Sequence, residues 1–329
     1  MNFTPSLSGE ICIIGSLNID LIIRNVSQLP RWGQEIPGGS HVLVTAGQAG
    51  YTALSLRGLD TPTRLIGNVG ADLFGEQILA ELGKSGIDIS GCEVTHAGQT
   101  GFTVAIVRPD GERAFVTSFG CLKDFDQAMV ERHWDQVQSA SIVCLDGMFT
   151  LPGLPLSAAA FLLRRARQEG KITVLDTGWD PANWAASTRR EMEFVLAETD
   201  IFLPNWDEAS ALTAASTISK AARSLQSLGP ELVVIKQGDR GSFACFRESF
   251  WSLPAIPVHV FDTVGAGDNF NAGFLTALRR GWAIVDCMAF GSATAALYIS
   301  RPTNRFPGSS EVLEAAQSAG WLTSIGTDY

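Results

Sequence analysis

The chain has 329 residues, of which 46% are hydrophobic and 18% are charged, and its formal net charge is −10. A chain of this length and composition can bury a large core, which excludes an intrinsically disordered protein. The negative charge argues against nucleic acid and anionic membrane surfaces as partners, and no apolar run reaches the roughly 18 to 20 residues that span a bilayer.

The cysteines and histidines show no metal-binding or disulfide pattern. Six cysteines and four histidines are spread along the chain without a C-x-x-C pair, so neither a structural zinc site nor a disulfide framework is predicted. The first ten residues lack the basic and then apolar segments of a secretory signal. We therefore expect reduced thiols and a cytoplasmic location.

Short apolar runs alternate with helical segments along most of the chain. The runs predict buried strands at 11–15, 142–145, 172–175, 201–203 and 232–235. Apolar residues at helical spacing predict helices at 48–58, 73–83, 156–170 and 217–228, with left-handed C-caps at Gly58, Gly83 and Gly170. This alternation predicts an α/β fold with a doubly wound, mainly parallel sheet flanked by helices. Ligands of such sheets bind at the carboxyl ends of the strands.

Two segments, at about 20–45 and 99–119, interrupt the alternation. The first has apolar runs at 21–23 and 41–44, and the second has runs at 103–107 and 114–117 around Asp110-Gly111, a hairpin turn signal. We predict a small β-sheet outside the main sheet that acts as a lid over the strand ends. No repeat or linker is found, so residues 1–329 are expected to form a single domain.

The most informative stretch joins a bend of small residues, Gly265-Ala266-Gly267, to an amphipathic helix predicted to end near Arg280, with Gly281 as its C-cap. The first turn of a helix offers free N–H groups and a positive dipole end, and glycines let an anion approach them. Asp268 opens this helix. A carboxylate there is commonly an N-cap, but in phosphoryl transfer it accepts the proton of the attacking hydroxyl.

Residues 262–268, which read D-T-V-G-A-G-D, resemble the D-T-x-G-A-G-D signature of the ribokinase/PfkB carbohydrate kinases. Further resemblances follow in the family's order: 15–20 to its first strand and substrate turn, 67–75 to G-x-x-G-x-D-x-x-G, 205–208 to N-x-x-E, and 236–241 to the nucleotide turn T/K-x-G-x-x-G. The resemblance covers roughly residues 10 to 320. The signature is quite specific, and the weaker motifs gain weight from their order.

The resemblance implies a ribokinase-like kinase that uses ATP and Mg²⁺ to phosphorylate a hydroxyl of a small sugar or sugar-like alcohol. Asp268 would be the base, with an anion hole from the backbone of Gly265, Ala266, Gly267 and Asp268 itself. Nucleotide-binding residues would be Asn205, Glu208, Lys236, Gly238, Gly241, Thr263 and Ser292, with Glu208 an indirect Mg²⁺ contact. Substrate-binding residues would be Asn18, Asp20, Gly47, Gln48 and Tyr51. The lid would also make a homodimer, as in several members.

The residue types alone leave structural alternatives open. Asn205 and Glu208 also suit a strand exit followed by a helix start, and Asp72 is predicted to cap the helix that begins at Leu73. Gly67, Gly70 and Gly75 are interpreted as turn and packing residues.

The sequence departs from the family in two places. The family's G-G-x-x-x-N-x-A substrate motif reads A-G-Q-A-G-Y-T-A at 46–53, with Tyr51 in place of Asn, which argues against a standard ribose or fructose site. Members that use a monovalent cation usually carry a Gly-Ala pair after the helix containing residues 293–296. The chain instead has S-R-P-T-N-R-F-P at 300–307, which puts potassium activation in doubt.

Three rival functions remain. A nucleoside kinase of the same fold would use Tyr51 to stack on a base, and a non-catalytic sugar or nucleotide sensor would keep the scaffold without turnover. A nicotinamide-dependent oxidoreductase is disfavoured, because Ile14-Gly15-Ser16 lacks the G-x-G-x-x-G turn.

Overall fold

The computed structural model describes residues 9–302 and 305–322. Its strands are β1 Glu10–Gly15, β2 Asn18–Ile23, β3 His41–Ala46, β4 Thr63–Gly70, β5 Asp88–Thr95, β6 Gly101–Val107, β7 Arg113–Ser118, β8 Ala140–Asp146, β9 Ile172–Asp176, β10 Ile201–Phe202, β11 Leu232–Lys236, β12 Ser242–Phe246 and β13 Ser249–Leu253. Its α-helices are α1 Gln48–Gly58, α2 Leu73–Lys84, α3 Gln127–Arg132, α4 Trp134–Ser139, α5 Leu156–Gln168, α6 Ala186–Leu196, α7 Trp206–Thr213, α8 Ile218–Ser227, α9 Ala266–Arg279, α10 Ile284–Ile299 and α11 Ser309–Ser318.

The main sheet has nine strands within the described residues, in the order β13-β12-β11-β10-β9-β8-β1-β4-β5. Its strands from β11 to β5 pair in parallel, whereas β12 and β13 add an antiparallel hairpin at one edge. The predicted doubly wound, mainly parallel sheet is therefore confirmed. The carboxyl ends of β1, β8, β9 and β11 lie along one edge of it, as parallel pairing requires.

Helices cover both faces of the main sheet. Because side chains alternate along a strand, Ile142 and Cys144 join the apolar core under α1, α9 and α10, while Val143 and Leu145 join the core under α5 and α6. The same alternation runs through the neighbouring parallel strands. Strands buried on both faces explain the near-continuous apolar runs of the sequence.

The second sheet, called the small sheet below, has the order β3-β2-β6-β7. Strands β2 and β6 pair in parallel, and β3 and β7 flank them in antiparallel orientation. Its inner residues pack with Tyr51, Val264 and Tyr298 in a third apolar cluster. The predicted separate sheet is confirmed, and its hairpin turns at Gly111, whose φ is 86°.

Several local predictions were wrong. Gly58 and Gly83 lie inside α1 and α2, and the left-handed residues after those helices are Asp60 and Gly86. Gly170 and Gly281 do adopt positive φ, as predicted.

None of the three glycines is a turn residue, because Gly67 and Gly70 belong to β4 and Gly75 lies inside α2. Their packing role is confirmed, since a Cβ on Gly70 would lie 2.3 Å from the backbone nitrogen of Thr100.

Asp72 caps α2 as predicted, accepting a 2.9 Å hydrogen bond from the Gly75 N–H. Of the segment 300–307, residues 303 and 304 lie outside the described residues. In the part of the chain that the structure describes, no helix combines the length and apolarity needed to cross a membrane.

Candidate active site

Three charged side chains lie at the carboxyl ends of parallel strands in the middle of the main sheet, where β8 and β9 are neighbours and β10 separates β9 from β11. Asp146, Asp176 and Lys236 are the last residues of β8, β9 and β11. Each is two residues beyond a core residue of the face covered by α1 and α9, so the two-residue period of a strand directs all three toward that face. Asp146 and Asp176 are direct partners in the sheet register. We call these three residues, together with Asp268, the charged cluster.

Lys236 forms a buried ion pair inside this cluster. Its Nζ lies 2.6 Å from Oδ2 of Asp176 and donates a 3.0 Å hydrogen bond to Oδ1 of Asn271. The Asn271 amide also donates to Asp176 at 2.6 Å, and Gln48 donates to the other Asp176 oxygen at 3.1 Å. Burial by itself raises the pKa of Asp176, but the Lys236 charge together with the hydrogen bonds from Lys236, Asn271 and the Gly178 N–H holds that pKa below its usual range. Asp176 is therefore negatively charged, and it holds the Lys236 side chain in position.

The signature begins α9 with a backbone shape that suits an anion. Gly265 precedes the helix with φ 76° and offers no side-chain cap to the first turn. The N–H of Ala266 donates to the carbonyl of Thr263 at 3.3 Å, whereas the next two N–H groups belong to the helix start, where intrahelical acceptors are absent. A Cβ on Gly267 would lie 3.5 Å from Nζ of Lys236. The helix start therefore combines backbone donors, a helix dipole and a nearby ammonium group.

Asp268 is the third residue of α9, and 9% of it is exposed. Burial raises the pKa of its carboxyl well above the usual range, and the charges of Asp146 and Asp176 raise it further, while Lys236 lowers it. A carboxyl with a raised pKa binds a proton more readily than an exposed aspartate does. The surroundings of Asp268 thus favour proton uptake, and its role as the base stays a prediction.

Asp146 is fully buried in the same cluster. Burial raises the pKa of Asp146 to about 7, and the nearby Asp176 acts in the same direction. Two buried carboxyls with raised pKa values beside a single paired lysine are typical of functional sites. The apolar run before Asp146 predicted a strand that stops there, but no functional role for this aspartate was predicted.

The predicted substrate residues lie together at the junction of the small sheet and α1. Asn18 donates to Oδ1 of Asp20 at 2.6 Å, and the Tyr51 hydroxyl donates to Oδ2 of Asp20 at 3.2 Å. Gly47, with φ 83°, precedes α1, and a Cβ there would lie 2.2 Å from the carbonyl oxygen of Ser16. Burial raises the pKa of Asp20 to about 6, against these hydrogen bonds.

Tyr51 fills the place that the family motif gives to asparagine. Only 3% of it is exposed, and its ring meets Tyr298 edge-on with a centroid distance of 6.3 Å. A Cβ on Gly265 would lie 3.2 Å from Cδ1 of Tyr51, so the ring also packs against the start of α9. The ring is therefore enclosed by packing, and its hydroxyl is engaged with Asp20.

Asn205 and Glu208 form a reciprocal cap at the start of α7. The Asn205 side chain accepts from the Glu208 N–H at 2.9 Å, and Glu208 accepts from both the Asn205 N–H and its amide, at 2.9 and 2.8 Å. The structural alternative of a helix start is therefore confirmed. Burial raises the pKa of Glu208 to about 7, with Asp176 adding to the effect.

The remaining predicted nucleotide residues have different surroundings. Gly238 has φ 62°, and a Cβ placed on it would meet no heavy atom within 4 Å, so the backbone there is open, whereas a Cβ on Gly241 would lie 2.0 Å from the carbonyl oxygen of Leu253. Ser292 is partly exposed on α10, which packs on α9. Thr263 contacts the hairpin of the small sheet: its hydroxyl donates to the Gly111 carbonyl at 3.2 Å.

Several residues of this region were not among the predicted site residues: Arg24, Asp146, Asp176 and Asn271. The two aspartates carried a signal, because each ends an apolar run, but one sequence does not give the register that pairs them. Asn271 lies one helical turn after Asp268 and could have been found from that spacing. Nothing in the spacing joins Arg24 to the signature, 238 residues away.

The chain is similar to known proteins over most of its length. The family model described as pfkB family carbohydrate kinase matches residues 8–310. The ribokinase of Arabidopsis thaliana is 27% identical over 299 residues, covering 88% of this chain and 76% of that protein. A 5-dehydro-2-deoxygluconokinase of Clostridium perfringens is 24% identical over 262 residues, covering 77% and 78%. The structure of Arabidopsis thaliana ribokinase with ribose and ATP superimposes with a TM-score of 0.78 at 25% identity, covering 94% of this chain and 99% of the other.

The architecture is thus the α/β fold of the ribokinases. The family match covers most of the chain. The protein belongs to the pfkB family of carbohydrate kinases and is an ATP-dependent phosphotransferase.

Proposed function

We propose that the protein transfers the γ-phosphoryl group of ATP to a hydroxyl of a small, uncharged sugar or sugar-like alcohol, with Asp268 as the base. The observation that carries this proposal is the burial of Asp268 at a glycine-led helix start beside Lys236. The substrate oxygen forms a bond to the γ-phosphorus as the bond to the leaving ADP oxygen breaks. The hydroxyl proton passes to Asp268, and the backbone of residues 265–268 stabilises the charge on the transferred group.

The charge of the site supports an uncharged substrate. Asp20, Asp146 and Asp268 are carboxyl groups near the start of α9, and Asp176 already neutralises Lys236 at 2.6 Å. A carboxylate or phosphate on the substrate would meet these acids without a free cation among the described residues of the charged cluster. Sugar hydroxyls, by contrast, donate hydrogen bonds that carboxylates accept.

The nucleotide would extend from the α9 start toward Lys236 and the open backbone at Gly238. Mg²⁺, when bound with ATP, would neutralise phosphate charge. Glu208 would contact the ion only indirectly, because both of its carboxylate oxygens accept hydrogen bonds from Asn205. Its role would be to orient water around the ion, with Asn205 holding it in place.

The rival functions are less well supported. A nucleoside kinase that stacks a base on Tyr51 would need an open ring face, but this ring is buried against Tyr298 and the α9 start. A sensor without turnover does not account for an intact signature or for a buried base candidate. The cytoplasmic location, the single domain, the lid motion and a homodimer through the small sheet stay predictions.

A substrate panel tests the proposal. ADP release with Mg·ATP should be measured across pentoses, hexoses, polyols, their acids, their phosphates and nucleosides. We expect turnover with at least one uncharged sugar or polyol, and a loss of about 10-fold or more for the matching acid, as expected for an uncompensated like charge. Turnover with nucleosides alone, or with no alcohol in the panel, would contradict the proposal.

A further inference from the structure

The loop that presents the anion hole begins with a buried ion pair. Residues 262–265, called the signature loop below, start at Asp262, which is 3% exposed. Arg24, 5% exposed, places its NH2 nitrogen 2.6 Å and its Nε 2.7 Å from Oδ2 of Asp262. The other carboxylate oxygen accepts the N–H of Val264 at 3.1 Å, inside the same loop. The carboxylate therefore joins the loop's own backbone to a guanidinium from another part of the chain.

Arg24 is itself held in place. It follows β2 directly, its N–H donates to Ser40 at 2.9 Å, and its carbonyl accepts from Gly39 at 2.8 Å. Its guanidinium carbon lies 4.8 Å from the ring centroid of Phe261, the residue before the signature loop. The positive charge is thus positioned by backbone hydrogen bonds, an aromatic ring and a carboxylate.

A second contact joins the small sheet to the same loop. Arg113, the first residue of β7, donates to the Thr263 hydroxyl at 2.8 Å, and that hydroxyl donates to the Gly111 carbonyl at 3.2 Å. The Arg24–Asp262 pair is buried and the Arg113 contact is exposed, so breaking the buried pair should disturb the signature loop more.

The residue before the signature loop also contacts the end of α10. The N–H of Phe261 donates to the carbonyl of Ile299, the last residue of α10, at 2.8 Å, and Pro302 follows shortly after. A monovalent cation at this loop would be attracted by the buried Asp262 carboxylate. That carboxylate is already neutralised, so the residues present do not fit a bound ion.

We propose that Arg24 is the resident cation of the signature loop. Its guanidinium takes the place of a bound monovalent ion: it neutralises Asp262 and holds residues 262–265 in the shape that presents the Gly265–Asp268 backbone to a phosphoryl group. Arg24 is a positioning residue, since it acts through Asp262. The inference rests on the proposed function for its kinetic part alone. Catalysis and folding should then be independent of potassium.

The test uses wild type, Arg24→Ala, Asp262→Asn, the double variant and Arg24→Lys, each in potassium, sodium and tetramethylammonium chloride at equal ionic strength. Wild-type kcat should vary by less than about 2-fold among the three salts. Arg24→Ala should lower kcat by at least ~10-fold, because a misplacement of about 1 Å in a reacting group costs up to ~10²-fold. The double variant should be no worse than the worse single variant, as for groups that act as a pair. Arg24→Lys, which keeps the charge, should recover part of the rate.

Thermal unfolding in the same salts gives a readout that needs no substrate. The wild-type melting temperature should be equal in potassium and tetramethylammonium, and the melting-temperature losses of the two single variants should not add in the double variant. Arg132→Ala is the control, because Arg132 makes an exposed two-bond pair with Glu93, at 2.9 Å for each bond, outside the site; it should leave kcat unchanged.

Specific activation or thermal stabilisation of the wild type by potassium would overturn the proposal, as would full additivity of the two single variants. Failure of the proposed function would look different: no salt and no variant would show turnover, while the unfolding results would still decide the role of Arg24.

Discussion

The acidity of Asp268 is governed by its burial and by the charged residues around it. Burial is the largest cause of its raised pKa. The charges of Asp146 and Asp176 raise that pKa further, while Lys236 lowers it. Lys236 is largely committed to Asp176, at 2.6 Å. The uncompensated neighbour is therefore Asp146, whose own pKa is raised to about 7. Two buried acids of the same sign share this space, and each makes the other harder to ionise.

This coupling predicts the pH dependence of kcat/KM. The base acts only when deprotonated, so the rate should fall as the pH decreases, with a midpoint above the ~4 of an ordinary aspartate. Asp146→Asn removes a negative charge from the neighbourhood of Asp268, which lowers the pKa of that base and should move the midpoint to lower pH. The measurement is a kcat/KM profile of both proteins. An unmoved or upward-moved midpoint would show that Asp146 does not act on the base.

Two helix starts in the site are built in opposite ways. Helix α7 is closed by the side-chain cap of Asn205 and Glu208, whereas α9 begins at Gly265 without a side-chain cap. A side-chain cap consumes the first free N–H groups of a helix, and its absence leaves them for a ligand. The first helix start can thus support the site, and the second can bind the phosphoryl group.

Asn205→Ser separates the structural role of that cap from its proposed role at the nucleotide. Serine is about as good an N-cap as asparagine, so the loss of stability should stay near ~1 kcal/mol, from the missing amide bond to Glu208. If the pair orders the surroundings of Mg·ATP, the KM for Mg·ATP should rise several-fold. Asp126→Ser is the control, because Asp126 makes the equivalent cap on α3, accepting from Met129 at 2.8 Å. A variant with normal KM and lowered melting temperature would leave Asn205 with a structural role only.

Across the whole molecule, the parts that the sequence predicted are those with a local signal. The central strands follow from apolar runs such as the one in β1, and the small sheet follows from an Asp-Gly hairpin. Strand β4 was missed because its glycines suggested a turn; the close approach of Gly70 to Thr100 explains them. The β12–β13 hairpin was also missed, since it turns at Arg247 with φ 53° and has no glycine.

The residues of the site likewise divide into those with a local sequence signal and those that only the fold brings together. Asp268 and its glycines are contiguous and were found from sequence. The pair of Asp176 with Lys236 and that of Arg24 with Asp262 depend on sheet register and on the docking of the small sheet. The sequence alone does not show that the two members of either pair lie close together.

The role of Asp268 is tested most directly by Asp268→Asn, assayed with the best substrate of the panel. The variant keeps the size of the side chain and removes the base, so kcat should fall by at least ~10²-fold while ATP binding is nearly kept. Asp286→Asn is the matched control, because Asp286 is likewise the third residue of its helix, α10, and lies outside the charged cluster; it should keep the wild-type rate. A large fall for Asp268→Asn alone is the predicted result, and near-normal turnover by that variant would contradict the account.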